Sequence, residues 1–394
     1  MKSLRLNPGL LPSTVTVPRS KSYANRALIL AALAPQPITL SHLPTATDVT
    51  ILLSALLQIG IKIQGSSSLL ISGSFPNIES PQGATIQVGE GGTTARFLAC
   101  LLLKGSAPYR LVLGARLKER PWEEFITQVQ ALGGKASLVD DLLTLQGPVR
   151  FPFSFEVDCR RTTQFATGLQ LACGWSGEKV IPTNMDSSES YWDLTQSVIS
   201  SFKANSSFEI PADWSSASYP LAFGALNQEI NFPGLFYDQF QADAKFLDLL
   251  KKLGALEEHA EGIRVRPHQN SFDVSFDVSD CLDLTPALVF LLAHVKGEHI
   301  ISGIRNLRHK ESDRLQELDK LLRAFSRETR LTENSLEFSG STHKCSDAKT
   351  LYLPDDHRMV MTAALFLKHH SGGVLSPIEA VNKSYPEFTD LLNV

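Results

Sequence analysis

The segment from residue 306 to 315, Asn-Leu-Arg-His-Lys-Glu-Ser-Asp-Arg-Leu, alternates cations and anions more densely than an ordinary surface turn. The apolar residues that follow on one helical face are Leu315, Leu318, Leu322 and Phe325. The segment is therefore predicted to be a loop that leads into a helix, capped by Ser312 or Asp313. Lys310 and Arg314 would lie at the positive end of the helix dipole, where a bound anion would favour them. This predicts an anion-binding site, the alternative being a solvated charged turn.

Charged side chains recur at other positions where a polar cluster or a charged loop precedes a predicted helix. The cations at these positions are Lys21, Arg26, Arg96, Arg116, Lys118, Arg120, Arg308, Lys310, Arg314, Arg358 and Lys383. The acids are Asp283, Glu311, Asp313 and Asp356. An arginine fork binds carboxylate or phosphate, and a lysine is a point charge that can also move a proton. Together these groups are suited to a phosphorylated carboxylic acid and to proton transfer.

Three further segments offer groups for oxygen-rich ligands. Residues 91–94, Gly-Gly-Thr-Thr, could expose backbone N–H groups to phosphate at a helix start. They lack the Gly-Lys-Ser/Thr ending of a nucleotide P-loop, and the alternative is a plain helix-entry turn. Residues 162–164, Thr-Thr-Gln, and residues 188–191 offer hydroxyls and an amide, the alternative being ordinary helix N-caps.

Metal and covalent chemistry are not indicated by the sequence. Neither His309 nor His357 has a second histidine or a carboxylate at metal-binding spacing, so both are interpreted as loop or structural histidines. The chain has no Gly-x-Ser-x-Gly elbow, and no cysteine has an adjacent histidine to activate it. We therefore predict no metal, no cofactor and no covalent hydrolytic mechanism.

The composition indicates the class of protein. A chain of 394 residues, 43% of them hydrophobic, is long enough for two or more globular domains. A formal net charge of -4 argues against a general nucleic-acid binder, which needs an excess of Lys and Arg. Five widely spaced cysteines without a Cys-x-x-Cys pair favour a reduced, cytoplasmic protein. The N-terminus has no signal-peptide core and no apolar run reaches the roughly 20 residues of a membrane helix, so we expect no membrane association.

One kind of unit recurs six times along the chain. Each copy has a polar opening, a helix that is apolar all round, a strand, a charged loop and an amphipathic helix. The openings are at residues 21–26, 91–96, 162–164, 215–218, 283–286 and 356–358. The repeat favours two α/β domains of three copies each, with the apolar helices buried and the amphipathic helices outside. The alternative is a chance likeness among apolar helices.

The repeat also predicts where the domains and helices end. The predicted domains are residues 15–239, and residues 1–14 with 240–394. The segment Leu4 to Leu6 would supply a strand that the last copy lacks, which ties the two chain ends together. Pro121 is predicted to be a first helical residue. Helices whose N-terminal ends point the same way would give each domain one electropositive face, and two such faces across a cleft would hold a multiply anionic ligand.

With these segments in view, the chain resembles the 5-enolpyruvylshikimate-3-phosphate synthase family of enolpyruvyl transferases from about residue 15 to 390. The stretches that carry the resemblance are residues 21–27, 91–96, 116–121, 306–315 and 356–359. Lys-Glu-x-Asp-Arg and Asp-His-Arg-Met, within the last two, are the most specific motifs. The resemblance implies a two-domain inverted α/β barrel-like fold, with the active site in the interdomain cleft. It also implies a monomer, and a glyphosate target in chorismate and aromatic amino-acid biosynthesis.

The resemblance implies substrates and a role for each residue. The substrates would be phosphoenolpyruvate and shikimate 3-phosphate. Residues that would bind phosphoenolpyruvate are Lys21, Gly92, Arg120, Gln164, Arg314, Arg358 and Lys383. Residues that would bind shikimate 3-phosphate are Lys21, Ser22, Arg26, Thr162, Thr163, Gln164, Ser188, Tyr191, Asp283, Asn306 and Lys310. Asp283, Glu311 and Lys21 would move protons while the 5-hydroxyl adds to the enolpyruvyl carbon and phosphate then leaves.

Four positions depart from the family pattern. Arg19 stands where the family usually has Gly, Glu90 where it usually has Asn, and Thr162-Thr163 where it usually has Ser-Ser. The threonines keep their hydroxyls. A carboxylate at residue 90 near a bound phosphate would weaken phosphoenolpyruvate binding, with Arg19 as its candidate partner.

Two other functions remain as alternatives at the level of sequence. One is enolpyruvyl transfer to a UDP-amino sugar, whose enzymes typically carry a Cys in the loop that corresponds to residues 114–121, where this chain has none. The other is a degenerate homologue that binds anions without turnover. The presence of paired acids and bases argues against a mere binder.

Overall fold

A computed structural model describes residues 2–77, 82–185, 187–268 and 270–392. The chain forms two compact units. The inserted unit is Arg19–Pro211, and the terminal unit combines Met1–Pro18 with Ala212–Val394. The predicted domains, 15–239 and 1–14 with 240–394, differ from these units at both divisions. The later division moves toward the N-terminus because the helix after Pro211 packs with later helices of the terminal unit.

The described residues contain both helices and short strands. The α-helices are α1 (Lys21–Leu33), α2 (Thr47–Gln58), α3 (Gly92–Leu102), α4 (Glu123–Ala131), α5 (Gln164–Ala172), α6 (Glu189–Ala204), α7 (Trp214–Asn227), α8 (Phe246–Leu253), α9 (Thr285–Leu292), α10 (Arg314–Ala324), α11 (His357–His369) and α12 (Phe388–Leu391). Short 3-10 helices are Leu117–Glu119, Ala242–Lys245, Leu282–Leu284, Arg305–His309 and Ile378–Lys383.

The strands follow the same order along the chain. They are β1 (Leu4–Leu6), β2 (Ile38–Ser41), β3 (Lys62–Gly65), β4 (Ser68–Ser72), β5 (Thr85–Gly89), β6 (Tyr109–Leu113), β7 (Lys135–Val139), β8 (Leu142–Gln146), β9 (Ser154–Asp158), β10 (Lys179–Thr183), β11 (Ser207–Glu209), β12 (Ile230–Pro233), β13 (Leu256–His259), β14 (Gly262–Val265), β15 (Val274–Asp277), β16 (Gly297–Ser302), β17 (Thr329–Leu331), β18 (Ser335–Gly340), β19 (Lys349–Tyr352) and β20 (Gly373–Ser376).

The inserted unit has a core of three buried helices, α1, α3 and α5, which pack against one another. Almost every residue of these helices is buried, because their sequences are apolar on all sides. Helices α2, α4 and α6 bury only one face. Three small sheets complete the unit, with strand orders β11-β2-β4-β3, β5-β6-β8-β7 and β10-β9.

The terminal unit repeats this plan. Its buried helices α7, α9 and α11 pack against one another, and the outer helices α8 and α10 are amphipathic. Its sheets have the orders β12-β14-β13, β15-β16-β18-β17 and β1-β20-β19. Leu4 pairs with Leu375 and Leu6 with Gly373, which confirms that the N-terminal segment completes the last copy. Three buried helices and three sheets in each unit agree with the predicted repeat.

Helix α10 begins where the sequence predicts, but helix α4 does not. Asp313 caps α10, because its carboxylate accepts a hydrogen bond from Gln316 N–H at 3.2 Å. The four apolar residues predicted for one face of this helix are all buried. The prediction that Pro121 begins a helix is wrong, since α4 begins at Glu123 with Trp122 as its cap. In the described part of the chain, no helix combines the length and apolar character needed to cross a membrane.

Candidate active site

In the inserted unit, three predicted site residues begin the three buried helices. Lys21 is the first residue of α1, Gly92 of α3 and Gln164 of α5. The first turn of a helix has N–H groups without helical partners and carries partial positive charge. The Arg120 guanidinium adds a full positive charge there, since a Cβ built on Gly92 would lie 2.4 Å from Arg120 Nη1. A larger residue at position 92 would therefore displace the guanidinium.

Gln164 is held in one orientation by two neighbours. Its Oε1 accepts a hydrogen bond from Arg96 Nη1 at 2.5 Å, and its Nε2 donates to Thr93 Oγ1 at 3.0 Å. The Arg96 guanidinium lies near the rings of Trp122 and Phe165, and burial holds its pKa well below the usual range. Arg96 was a candidate cation in the sequence but was not assigned to the site. It acts on the site through Gln164.

Lys21 has an acidic partner that the sequence analysis did not assign. Lys21 Nζ lies 2.8 Å from Oδ2 of Asp48, a buried residue in the first turn of α2. A Cβ on Gly91 would lie 2.7 Å from Asp48 Oδ1, so the carboxylate also reaches the start of α3. An acid in the first turn of a helix is common. Asp48 therefore could not be recognised from the sequence as the partner of Lys21, because only the fold brings the two together.

Arg26 is buried among neutral groups at the start of α6. It donates to Thr195 Oγ1 at 2.9 Å, to Tyr191 O at 2.9 Å and to Ser22 O at 2.8 Å. Burial lowers its pKa to about 10, which leaves it charged at neutral pH. Ser188, the cap of α6, has a left-handed backbone with φ of 64°. The structure therefore brings the predicted residues Ser22, Arg26, Ser188 and Tyr191 into one region.

The two threonines precede α5. The Thr162 hydroxyl oxygen accepts a hydrogen bond from Gln164 N–H at 3.3 Å, and Thr163 occupies the cap position without a side-chain cap bond. Both are thus at the same helix start as Gln164. Their predicted contact with a ligand stays a prediction.

Arg19 and Glu90, which depart from the family pattern, do not pair with each other as expected. Arg19 Nη1 lies 3.5 Å from Glu209 Oε1 and donates to Ile210 O at 3.1 Å. Glu90 instead accepts hydrogen bonds from the backbone N–H groups of Arg116 at 3.3 Å and Leu117 at 2.9 Å. The expected pair is wrong because each side chain has a nearer partner. Glu90 caps the turn that leads to Arg120.

In the terminal unit, Asp283 is the centre of a charged cluster. Its Oδ1 lies 2.9 Å from Arg314 Nη1 and 3.4 Å from Lys310 Nζ, and its Oδ2 lies 3.0 Å from Arg358 Nη2. Burial alone would raise its pKa, but the charges of Arg358, Lys310 and Arg314 hold it well below the usual range. Asp283 is therefore ionised at neutral pH.

Arg314 joins three carboxylates at the start of α10. Besides Asp283, it binds Glu311 Oε2 at 2.6 Å and Asp356 Oδ2 at 2.8 Å. The Arg314 side chain is 1% exposed and that of Asp356 is 0% exposed, so this pair is fully removed from water. Burial opposes the charge of Arg314, but the three carboxylates raise its pKa. Asp356 also accepts from Ser312 Oγ at 2.9 Å and caps α11.

A second buried acid lies in the same neighbourhood. Asp243 accepts a hydrogen bond from the Ser215 hydroxyl. Burial and the negative charge of Asp283 raise its pKa to about 7. The sequence analysis did not single out Asp243, because nothing in its local sequence marks it as buried. Asp283 differs from Asp243 because it forms ion pairs with three cations.

Lys383 pairs with a different carboxylate, and Asn306 lies on the segment ahead of Lys310. Lys383 Nζ lies 3.0 Å from Asp355 Oδ2 and donates to Asp355 O at 2.5 Å. Asn306 is half-buried in the 3-10 helix Arg305–His309, ahead of Lys310. The structure therefore assembles Asp283, Lys310, Glu311, Arg314 and Arg358 in direct contact, and it places Lys383 and Asn306 on adjoining segments.

The two sets of residues offer different chemistry. The inserted unit presents helix N-termini, hydroxyls, an amide and buried cations, which suit anionic and hydroxylated ligands. The terminal unit presents carboxylates and cations at hydrogen-bonding distance, which can accept and return protons.

Comparison with known proteins identifies the relatives of this chain. The sequence profile described as EPSP synthase (3-phosphoshikimate 1-carboxyvinyltransferase) matches residues 7–206 and 186–392. The 3-phosphoshikimate 1-carboxyvinyltransferase of Thermococcus kodakarensis is 30% identical over 395 residues, with 95% of each chain covered. The protein of the same name from Clostridioides difficile is 28% identical, covering 98% of this chain and 96% of its own.

Solved structures share the fold. EPSP synthase from Acinetobacter baumannii matches with a TM-score of 0.79 at 20% identity, covering 100% of this chain and 98% of that one. The enolpyruvyl transferase NikO from Streptomyces tendae matches with a TM-score of 0.75 at 14% identity, covering 99% and 96%. At these identities the likeness concerns the fold.

Proposed function

The chain belongs to the EPSP synthase (3-phosphoshikimate 1-carboxyvinyltransferase) family, and from this premise we propose that Asp283, Glu311 and Lys21 move the protons of its reaction. The enzyme transfers the enolpyruvyl group of phosphoenolpyruvate to shikimate 3-phosphate in the shikimate pathway, which leads to aromatic compounds. What is proposed is the assignment of steps to residues. The observation that carries it is the contact of one buried arginine, Arg314, with both Asp283 and Glu311.

The reaction needs two proton transfers in its addition step and a third, at C3, in its elimination step. In the addition, the 5-hydroxyl of shikimate 3-phosphate loses its proton as its oxygen bonds to C2 of phosphoenolpyruvate, and C3 gains a proton. In the elimination, C3 loses a proton, the C2–O bond to phosphate breaks and the double bond forms again. A base at the hydroxyl and an acid at C3 are therefore required, with the acid acting as the base in the second step.

Asp283 has the properties of the group at the hydroxyl. Its cationic neighbours keep it ionised, so it can accept a hydrogen bond from the hydroxyl and act as the base that takes its proton. Glu311 and Lys21 are assigned to the C3 proton. Glu311 is half-buried beside Arg314, and Lys21 is oriented by Asp48.

Phosphoenolpyruvate carries a phosphate and a carboxylate, and both need cationic partners. We assign Lys21, Gly92, Arg120 and Gln164 of the inserted unit to this substrate. From the terminal unit we assign Arg314, Arg358 and Lys383. The close approach of Arg120 to Gly92 puts a guanidinium beside free helix N–H groups, which supports a site for an anion.

Shikimate 3-phosphate carries one phosphate, one carboxylate and ring hydroxyls. We assign to it Lys21, Ser22, Arg26, Thr162, Thr163, Gln164, Ser188, Tyr191, Asp283, Asn306 and Lys310. The grouping of Ser22, Arg26, Ser188 and Tyr191 around the starts of α1 and α6 supports part of this assignment. Hydroxyl donors and a buried arginine suit a phosphate ester.

A phosphate-release assay with each substrate omitted in turn tests the function. We expect release only when both phosphoenolpyruvate and shikimate 3-phosphate are present. UDP-N-acetylglucosamine in place of shikimate 3-phosphate is expected to give none. Release with the UDP-sugar, or no release despite tight binding of shikimate 3-phosphate, would contradict the assignment to this chain.

We also assign the protein to the cytoplasm and to a monomeric state. All five cysteines are unpaired, and four of them are buried, which is expected of a protein from a reducing compartment. Light scattering coupled to gel filtration, at micromolar concentrations with and without both substrates, tests the monomer. A dimer mass under either condition would contradict it.

A further inference from the structure

In the terminal unit, the C-terminal ends of the buried helices α7, α9 and α11 meet at a group of histidines. His369, the last residue of α11, lies with its Nδ1 2.9 Å from Oδ1 of Asn227, the last residue of α7. His294, just after α9, lies with its Nε2 2.9 Å from His370 Nε2. The charged cluster lies where these helices begin. At 1.5 Å per residue the 13-residue α11 separates the two regions by about 20 Å.

A cavity of about 190 Å³ opens at these helix ends. Its lining residues are Leu226, His268, Asn270, Ser271, His294, Val295, Lys296, Thr342, Lys344 and His369. We call this cavity the histidine pocket. A cavity of roughly 150 Å³ can hold a ligand the size of benzene, so the volume suits a molecule of about seven heavy atoms.

The lining of the histidine pocket favours an anion. It includes two ammonium groups, two hydroxyls, an amide and three imidazoles, and among the described residues no carboxylate lines it. Among the residues that the structure describes, no group of three or more His, Cys, Asp or Glu side chains is arranged to hold a metal ion. Helix C-terminal carbonyls would oppose an anion. Arg327 Nε donates a hydrogen bond to Ala293 O at 2.9 Å, and His294 Nδ1 donates to Phe290 O at 2.7 Å. These bonds reduce the repulsion between the carbonyls and an anion.

Hydrogen bonds fix which histidine can respond to a ligand. Cys345 N–H donates to His370 Nδ1, so His370 carries its proton on Nε2 and donates to His294 Nε2. His294 uses its other nitrogen on Phe290 O, so both its nitrogens are occupied. Asn227 Nδ2 donates to Phe223 O, which leaves Asn227 Oδ1 to accept from His369 Nδ1. In the neutral ring, His369 Nε2 then carries a lone pair and can only accept a hydrogen bond. In the charged ring, the same nitrogen carries a proton and can donate a hydrogen bond.

We propose that the histidine pocket binds a small dianion, either a dicarboxylate or a phosphate, and that His369 takes up a proton when it does. Groups that face His369 from the surrounding elements are Asn227, His294, Arg327, Lys344 and His370. All are neutral or cationic. Burial, followed by the charge of Lys344, lowers the pKa of His369 to about 3, and an anion beside it would oppose both effects.

Isothermal titration calorimetry with malonate at pH 6.5 is the first test. We expect millimolar binding that weakens as the pH rises toward 8. Titration in two buffers of different ionisation enthalpy should show net proton uptake. Lys344→Gln should weaken binding about five- to tenfold, as expected for the loss of one charge-assisted contact. The matched control is Lys252→Gln, which removes the same charge from an exposed site on α8 and should change nothing.

NMR of the imidazole nitrogens locates the proton. Malonate should shift the His369 resonances toward the charged form, and His369→Asn should keep weaker binding but lose the proton uptake. Inorganic phosphate in place of malonate distinguishes the two ligand chemistries. A shift of the His369 resonances with either anion supports the proposal. Binding that is unaffected by Lys344→Gln but abolished by Arg120→Gln would place malonate at the catalytic residues and overturn the proposal. An absence of any His369 shift at 50 mM of both anions, a concentration about tenfold above millimolar affinity, would also overturn it.

Discussion

Buried arginines beside the predicted site residues have different partners in the two units. In the inserted unit, the hydrogen-bond partners of Arg26 and Arg96 are hydroxyl, amide and backbone oxygens. In the terminal unit, Arg314 and Arg358 bind carboxylates. The pKa values respond accordingly, because burial lowers those of Arg26 and Arg96, whereas three carboxylates raise that of Arg314 against its burial.

The difference indicates a division of roles. A buried cation with neutral partners keeps its positive potential for an anionic ligand. A buried cation surrounded by carboxylates is largely neutralised, and its main effect is on the protonation of those carboxylates. Lys21 is the exception in the inserted unit, since its partner is Asp48. That exception agrees with the proton-transfer role proposed for Lys21.

The largest expected effect separates turnover from binding. Asp283→Asn should lower kcat by about 10²–10⁴-fold, because general acid–base groups contribute on that scale, and should change KM much less. Arg26→Lys should instead raise KM for shikimate 3-phosphate more than it lowers kcat. Steady-state phosphate release with either substrate varied measures both. If Asp283→Asn kept kcat within tenfold, the proton-transfer role of Asp283 would be excluded.

The next effect concerns folding stability. Arg314→Met leaves Asp356 and two further acids without their shared cation, and breaking a buried ion pair from one side costs about 3–5 kcal/mol. Arg96→Met leaves only neutral oxygens without a donor, for about 1–3 kcal/mol. Urea unfolding of both variants, followed by tryptophan fluorescence, compares the two free energies. Equal losses would remove the distinction between the units.

A pH effect of intermediate size tests Asp243. Its pKa is raised from 3.8 to about 7 in the folded protein, so the folded state binds this proton more tightly than the unfolded state does. The contribution is therefore fully present below pH 4 and is lost as the pH rises through 7. Asp243→Asn should remove a decline in the free energy of unfolding of up to about 4 kcal/mol between pH 4 and 8. Parallel curves for the two proteins would show that Asp243 is ionised throughout.

The smallest effect concerns the carboxylate of Glu90. Because this side chain caps two backbone N–H groups, Glu90→Gln, which retains an acceptor oxygen, should change KM for phosphoenolpyruvate by less than about threefold. Glu90→Ala, which removes the cap, is the sharper comparison and should have the larger effect through the turn that carries Arg120. A marked gain in affinity with Glu90→Gln would instead support the sequence-based hypothesis that the charge weakens binding of the substrate phosphate.

The repeat pattern was enough to predict much of the architecture. Apolar helices, amphipathic helices and the closing strand at Leu4 to Leu6 follow from periodicity and from the missing strands of the last copy. The division near Pro211 did not follow, since it depends on which helices pack with α7. Within the site, the cap of α10 was narrowed to Ser312 or Asp313 because capping is local, and the structure shows that it is Asp313. The pairing of Lys21 with Asp48 was not predicted, because residues far apart in sequence meet only through tertiary packing.

The pairing of β1 with β20 sets an order of events during synthesis on the ribosome. Every residue of the inserted unit has been made once Pro211 has been added, so this unit can fold while the rest of the chain is still being translated. The strand at Leu4–Leu6 pairs with Gly373–Ser376, so it has to wait until that later segment has been made. The whole inserted unit is synthesised in the interval. A translation pause after Pro211 would favour the inserted unit and leave the terminal unit as the part most exposed to chaperones.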